Sequence, residues 1–264
     1  MSTPTHLYDA YIFDLDGTVY LGDDLLPTAG ETIQQLRRLG KRTVFLSNNP
    51  THSRVNYSAK LNRLGLPTPV TDVVNSSLVM VDFLNRQMPG ARLFVVGEES
   101  LRQELRQAGF TLRNDAQVDA VIASFDRTFA YWKLQVAFDA IRGGARFFAT
   151  NGDRYCPVPG GGEPDAAAMI AAITACTGHE VEAIVGKPSH HMAEAVLHLL
   201  GLSPERCLMT GDRLETDVQM GLDAGMAAAL TLTGATTTAM LSSSTIRPTY
   251  ILHQLADLLL TIDD

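Results

Sequence analysis

Two aspartates one residue apart, Asp14 and Asp16, directly follow an apolar run that begins at Ala10. The run has the length and the side chains of a buried β-strand, so the strand would deliver both carboxylates at its carboxyl end. Ligands of open α/β sheets bind at that end. Two full charges about 5 Å apart repel by roughly 3 kcal/mol at an effective dielectric of about 20. We therefore expect this strand end to bind a cation or to use one of the carboxylates as an acid.

Composition excludes several classes of partner. The chain has 264 residues, enough for one large domain or two smaller ones, and 45% of them are hydrophobic, so a sizeable core can be buried. A formal net charge of −8 disfavours binding to nucleic acid or to an anionic membrane. An anionic substrate would need positive charge close to its binding site.

Cysteine usage and the N-terminus predict the compartment. The three cysteines, Cys156, Cys176 and Cys207, lack metal-ligand spacing, which indicates free thiols in a reducing environment. The first nine residues resemble no leader peptide, and no apolar run approaches the length of a membrane span. The sequence predicts a cytoplasmic protein with no membrane partner.

The order of apolar runs predicts an α/β fold. Short apolar runs alternate with amphipathic helical patterns, which is typical of βαβ units and a mostly parallel sheet. The units in the middle of the chain lack a carboxylate pair like that of the first strand. We predict a Rossmann-like parallel-sheet core built from residues 1–83 and 181–264, with an inserted α/β module at residues 84–180.

Polar residues follow four predicted core strands and form four clusters: Asp14 with Asp16; Ser47, Asn48 and Asn49; Lys187; and Asp212 with Asp217. The carboxyl ends of parallel strands share one edge of a sheet, so residues far apart in sequence can converge there. Any one cluster alone would be more typical of a turn, a helix cap or a surface charge. Four in order, each after an apolar run, favour a catalytic site.

The chemistry of the combined set is coherent. Three carboxylates offer the hard oxygen ligands that Mg²⁺ prefers. A lysine, together with hydroxyl and amide donors ahead of a helix, would hold an anion beside the metal. A metal, an anion and a nucleophilic carboxylate together describe phosphoryl transfer.

The residues at these clusters form four short motifs: Asp14-Leu15-Asp16-Gly17-Thr18, Ser47, Gly186-Lys187-Pro188-Ser189, and Gly211-Asp212-Arg213-Leu214-Glu215-Thr216-Asp217. Together they resemble the four motifs of the haloacid dehalogenase superfamily, in its phosphatase branch. The runs at residues 18–22 and 46–50 are similar to the NagD-like and phosphoglycolate or 4-nitrophenyl phosphatase group. The resemblance covers nearly the whole chain and implies that the inserted module is a large α/β cap of the C2 type.

The resemblance also implies a role for each motif. Asp14 would be the nucleophile and Asp16 the general acid and base, and Lys187 would stabilise charge with the phosphate-binding residues Ser47, Asn48 and Asn49. Mg²⁺ would be held by Asp14, by the backbone carbonyl of Asp16 and by Asp212. Arg213 stands where the superfamily commonly has a second acid, so it stays open whether Asp217 also ligates the metal or orients its surroundings.

Candidate substrate residues in the inserted module are Asn151, Asp153 and Arg154, although turn and hinge formation explains them equally well. The predicted function is a Mg²⁺-dependent phosphatase of small phosphorylated metabolites, most favourably sugar phosphates, whose hydroxyls suit Asn and Asp. The alternative is a phosphoglycolate phosphatase, in which Arg127 or Arg154 would meet the substrate carboxylate. An alternative of another class is a metabolite-binding regulatory protein with a vestigial site. A homodimer is compatible with the sequence but not specified by it.

Overall fold

The computed structural model describes residues 3–158 and 161–259 of the chain. They form two compact units. Of the described residues, the first unit comprises 3–47, 54–74 and 187–259, and the second comprises 48–53, 75–158 and 161–186. Each unit contains its own parallel sheet, so the predicted α/β class with a Rossmann-like core is confirmed. No helix in the described ranges is long and apolar enough to cross a bilayer.

The strands along these residues are β1 (Ala10–Asp14), β2 (Tyr20–Leu21), β3 (Asp24–Leu25), β4 (Arg42–Ser47), β5 (Val73–Asn75), β6 (Arg92–Val96), β7 (Thr111–Leu112), β8 (Ala120–Ala123), β9 (Arg146–Ala149), β10 (Tyr155–Val158), β11 (Gly161–Pro164), β12 (Ala183–Ile184), β13 (Cys207–Gly211), β14 (Ala227–Thr231) and β15 (Tyr250–Leu252). The α-helices are α1 (Ala29–Arg38), α2 (Arg54–Arg63), α3 (Ser76–Gln87), α4 (Glu99–Gln107), α5 (Tyr131–Arg142), α6 (Ala166–Thr177), α7 (His190–Leu200), α8 (Gln219–Asp223) and α9 (Thr238–Ser243).

The sheet of the first unit has the strand order β15-β14-β13-β1-β4-β5, with β1 pairing in parallel with both β13 and β4. All five residues of β1 are buried, as expected of a central parallel strand covered on both faces. Helix α1 turns Ala29, Thr32, Ile33 and Leu36 inward, at the spacing of one helical face. Burying one such Ile or Leu side chain contributes about 1.5–3 kcal/mol. This packing fixes the end of β1 within the unit.

The second unit has the sheet order β12-β9-β8-β6-β7, and its neighbouring strands pair in parallel. Strand β12 corrects one expectation, because the apolar run before Lys187 was predicted to belong to the core sheet. Instead β12 pairs with β9, and the chain returns to the first unit only at Lys187. At the N-terminal end of the inserted module, the expected boundary after residue 83 falls inside α3, and all of α3 lies in the second unit. Asn75 caps α3 by accepting a hydrogen bond from the Leu78 amide, so a new helical segment starts there.

Candidate active site

Strand β1 ends at Asp14, whose side chain is buried, and the chain then turns sharply. The turn requires Gly17, whose φ of +88° is a conformation that side-chain-bearing residues rarely adopt. Space requires it too, because a Cβ at this position would lie 2.6 Å from Oδ2 of Asp212. Gly17 therefore lets the turn after β1 approach the carboxylate that follows β13.

Lys187 lies between two carboxylates of the first unit. Its Nζ donates to Oδ1 of Asp14 at 2.5 Å and to Oδ1 of Asp217 at 2.6 Å. All three side chains are buried. Burial alone would lower the pKa of Lys187, but the carboxylates of Asp14 and Asp217 outweigh burial and raise it. The ammonium therefore stays charged and fixes the relative positions of the two acids.

Asp212 follows β13 and is held by a loop of the same unit. Its Oδ2 accepts a hydrogen bond of 2.5 Å from the Ala235 amide. A Cβ on Gly234 would lie 2.0 Å from that oxygen, so only glycine fits beside it. Asp217 lies in a π-helical turn, Leu214–Val218, and its Oδ2 accepts a 3.1 Å bond from the Arg213 amide. Both oxygens of Asp217 are thus engaged within the protein, by Arg213 and by Lys187.

Asp14, Asp212 and Asp217 form a buried acidic cluster, with one oxygen of each lying within 4.8 Å of the others. Burial raises the pKa of Asp14 well above its usual range, and the neighbouring Asp217 and Asp212 charges add to the rise, against the opposing effect of Lys187. Burial, with the charge of Asp217, raises the pKa of Asp212 to about 6. Three carboxylates and one ammonium carry a formal charge of −2 when all are ionised. An all-oxygen donor set with surplus negative charge fits a hard divalent cation.

The expected cluster of phosphate donors is divided between the two units. Ser47 ends β4 in the first unit, where its Oγ donates to the hydroxyl of Tyr57 at 2.9 Å. Asn48 and Asn49 belong to the second unit. There Nδ2 of Asn48 donates to Asp153 at 2.9 Å, and Oδ1 of Asn49 accepts from the Thr51 amide at 2.9 Å. Their joint action on a phosphate stays a prediction.

Two of the three substrate candidates of the inserted module form a polar network within the second unit. Asn151 is fully buried, and its Nδ2 donates to Asp153 at 3.0 Å and to Asp165 at 3.1 Å. Asp165 in turn caps α6 by accepting a bond from the Ala166 amide. Arg154 is exposed. Asn151 therefore has a structural part in its own unit, and contact of these residues with substrate stays a prediction.

Sequence reasoning missed two parts of the site. The first is the loop after β14, in which Gly234 and Ala235 hold Asp212. The apolar run Ala227–Thr231 before this loop ends in a polar residue, as β1 and β4 do. Applying the strand-end argument to this fifth strand would have found the loop. The second is Tyr20, whose hydroxyl donates to Oδ2 of Asp16 at 3.5 Å. The sequence does not indicate this contact, because an aromatic residue after a turn is typical of the hydrophobic core.

The chain is similar to known hydrolases along most of its length. The haloacid dehalogenase-like hydrolase family matches residues 11–111, and a second, HAD-hydrolase-like pattern matches residues 184–258. Sugar-phosphatase AraL of Bacillus subtilis is 43% identical over 225 residues, covering 85% of this chain and 83% of that protein.

Two solved structures are similar throughout. A 4-nitrophenylphosphatase of Thermotoga maritima superposes with a TM-score of 0.91 at 34% identity, covering 95% of this chain and 96% of the other. NagD of E. coli K-12 superposes with a TM-score of 0.87 at 29% identity, covering 95% and 98% of the two chains.

The chain belongs to the haloacid dehalogenase-like hydrolases. Within them it is a phosphoric monoester hydrolase of the NagD-like phosphatase group, as its sequence motifs indicated.

Proposed function

We propose that the protein is a Mg²⁺-dependent phosphatase that hydrolyses sugar phosphates through a phosphorylated Asp14. The observation that carries the proposal is the placement of Lys187 between Asp14 and Asp217, at 2.5 and 2.6 Å. A buried carboxylate held by an ammonium, with a second acid two residues further along the chain, is an arrangement suited to covalent phosphoryl transfer.

In the first step an oxygen of Asp14 attacks phosphorus while the bond between phosphorus and the leaving oxygen breaks. The electron pair of that bond goes to the leaving alcohol oxygen, which receives a proton from Asp16. Lys187 then faces one oxygen of the new aspartyl-phosphate and stabilises the charge that spreads over the phosphoryl group. The need for a proton separates this chemistry from dehalogenation, because halide leaves unprotonated.

In the second step Asp16, now a carboxylate, takes a proton from a water molecule that attacks the phosphorus. The bond between phosphorus and Asp14 breaks, and its electron pair returns to the Asp14 carboxylate. Inorganic phosphate leaves, and both acids return to their starting states. Ser47 at the end of β4 is the donor that we assign to the phosphate within the first unit.

Asp14 and Asp212 are the side chains that would hold the Mg²⁺ ion, together with the backbone carbonyl of Asp16. Asp217 is the weaker candidate, because both of its oxygens already accept bonds, from Lys187 and from the Arg213 amide. We assign Asp217 to orienting Lys187 instead. When bound, the cation would supply the positive charge that keeps the buried acids ionised at neutral pH and that offsets charge on the phosphate.

Sugar phosphates are the proposed substrate class because AraL, at 43% identity, is named a sugar phosphatase. The competing hypothesis, a phosphoglycolate phosphatase, requires a guanidinium that is available to bind the carboxylate of the substrate. Arg127 is less suited to that role, because it already pairs with Glu98 at 2.6 Å and lies 3.6 Å from Glu163.

The test is a panel of phosphate esters assayed for phosphate release: hexose, pentose and glycerol phosphates, phosphoglycolate and 4-nitrophenyl phosphate. Each is ranked by kcat/KM with Mg²⁺ and after treatment with EDTA, and Asp14→Asn is the matched control. We expect sugar phosphates to rank above phosphoglycolate, EDTA to abolish turnover, and Asp14→Asn to leave only background. Phosphoglycolate at the top of the ranking would support the alternative, and uniformly negligible values would favour a regulatory protein.

A further inference from the structure

Tyr20 is a buried residue whose hydroxyl faces the carboxylate assigned as general acid. Its side chain is 1% exposed, and its Oη donates to Oδ2 of Asp16 at 3.5 Å. The distance is long for a hydrogen bond between two oxygens, and catalytic groups commonly tighten such bonds when substrate binds. The contact is thus a candidate for a function in the reaction.

The backbone between the two residues is hydrogen-bonded across the turn, which fixes the relative positions of their main chains. The Gly17 amide donates to the Tyr20 carbonyl at 2.9 Å, and the Tyr20 amide donates to the Leu15 carbonyl at 3.2 Å. Tyr20 also opens the short antiparallel pair of β2 and β3. The turn that begins at Gly17 therefore brings Tyr20 back next to Asp16.

Helix α2 holds this turn from the side. Nζ of Lys60 lies 3.6 Å from the centre of the Tyr20 ring, and Arg63 pairs with Asp23 between β2 and β3 at 3.3 Å. A cation over the face of an aromatic ring is attracted to the ring electrons, and by withdrawing electron density it makes the phenol a stronger hydrogen-bond donor. A tyrosine hydroxyl carries its proton at neutral pH, so Tyr20 can donate to Asp16.

We propose that Tyr20, supported by Lys60, is a positioning residue that holds Oδ2 of Asp16 so that Oδ1 carries the proton delivered to the leaving alcohol. The inference rests on the proposed function, because it concerns the step in which Asp16 acts as an acid. When the bond between phosphorus and the leaving oxygen breaks, the proton on Oδ1 passes to that oxygen. Asp16 is left as a carboxylate whose Oδ2 still accepts from Tyr20.

The dependence on leaving group distinguishes this role from a merely structural one. An alkoxide from a sugar phosphate requires the proton, whereas the stabilised phenolate of 4-nitrophenyl phosphate leaves without it. The quantity to compare is kcat/KM, which reports the reaction up to phosphorylation of Asp14 and excludes the shared hydrolysis step. Loss of a positioning bond to Asp16 lowers kcat/KM selectively for the sugar phosphate.

The experiment compares Tyr20→Phe with the parent enzyme on glucose 6-phosphate and 4-nitrophenyl phosphate. We expect Tyr20→Phe to lower kcat/KM roughly tenfold for the sugar phosphate, the value of one hydrogen bond, and less than about twofold for the nitrophenyl ester. Tyr57→Phe is the matched control, because it removes a buried tyrosine hydroxyl that accepts a hydrogen bond from Ser47. Its effect is expected to be equal on the two esters.

The same comparison on Asp16→Asn distinguishes failure of the role of Tyr20 from failure of Asp16 as the general acid. If Asp16→Asn shows the selective loss and Tyr20→Phe lowers both esters equally, or neither, then Tyr20 does not position the acid, while the proposed function stands. If Asp16→Asn itself lacks the selective loss, then the assignment of the general acid fails.

Lys60→Met tests the same inference if thermal melting shows that Tyr20→Phe does not fold. It changes a partly exposed residue, and we expect the same selectivity for the sugar phosphate at about two- to threefold. Equal or absent effects of Lys60→Met on the two esters would overturn the inference.

Discussion

Lys187→Met gives the sharpest test of the charge arrangement at the site. The substitution keeps an unbranched side chain of similar length but leaves the buried carboxylates of Asp14 and Asp217 without the cation that now pairs with both. Removing one partner of a buried ion pair costs about 3–5 kcal/mol, because a charge stays in a low-dielectric environment. We expect a loss of that size in the free energy of unfolding at pH 7.5 in EDTA, measured by urea denaturation.

Lys41→Met is the matched control in the same unit. Lys41 pairs with Asp9 at 3.4 Å, and the Asp9 side chain is 44% exposed. Surface pairs of this kind contribute about 0–1 kcal/mol, so we expect Lys41→Met to change the free energy of unfolding by no more than that. A loss for Lys187→Met as small as that for Lys41→Met would refute the buried arrangement.

The loss of unfolding free energy in Lys187→Met should depend on pH in a defined direction. Without Lys187 the pKa of Asp14 rises further, so the folded state binds more protons than the unfolded state between the raised value and the ordinary one. Stability then increases as the pH falls through this window. The deficit of Lys187→Met is therefore expected to shrink at acidic pH, and a deficit that grows on acidification would contradict the argument.

Three further outcomes follow from the geometry of the acidic cluster. Mg²⁺ at 100 times its dissociation constant should stabilise the folded protein by about 2.7 kcal/mol and raise Tm, and thermal melts that coincide with and without Mg²⁺ would contradict a metal site. In EDTA, the Asp212 pKa of about 6, against an ordinary value of 3.8, makes the folded state bind the extra proton between those values. The unfolding free energy should therefore fall as the pH rises from about 4 to about 6, by at most roughly 3 kcal/mol, and a rise in urea titrations across this window would be inconsistent with the buried acid. Gly234→Ala would place a Cβ 2.0 Å from Asp212 Oδ2, so we expect loss of the Mg²⁺-dependent rise in Tm, whereas an unchanged rise would show that the loop can move away.

Convergence of the strand ends in the first unit was predictable because it follows from parallel topology alone. An apolar run that ends in Asp14 and another that ends just before Asp212 dictate buried strands with polar ends. Nothing local indicates which sheet the two-residue strand before Lys187 joins, since that depends on its distant partner β9. Lys187 nevertheless reaches Asp14, although the strand before it belongs to the other sheet.

Other parts of the site depend on information that a single sequence does not display. The Ala235 and Arg213 amides that bind the acids are backbone groups, which any residue type supplies. The contact between Tyr20 and Asp16 is created by a closed turn, and its aromatic residue has the same pattern as the core around it. Residue chemistry therefore predicted the acids and the lysine as site residues, whereas the groups that orient them required coordinates.

The most direct test of the central claim is to identify the residue that becomes phosphorylated. Asp16→Asn protein is mixed with 4-nitrophenyl phosphate, whose leaving group needs no acid, then quenched in acid, digested and mapped by mass spectrometry. We predict a phosphoryl group on Asp14, accumulating because the base for its hydrolysis is missing, and no adduct when Asp14→Asn is added to the same protein. An adduct on any other residue, or one that persists after Asp14→Asn, would contradict the account.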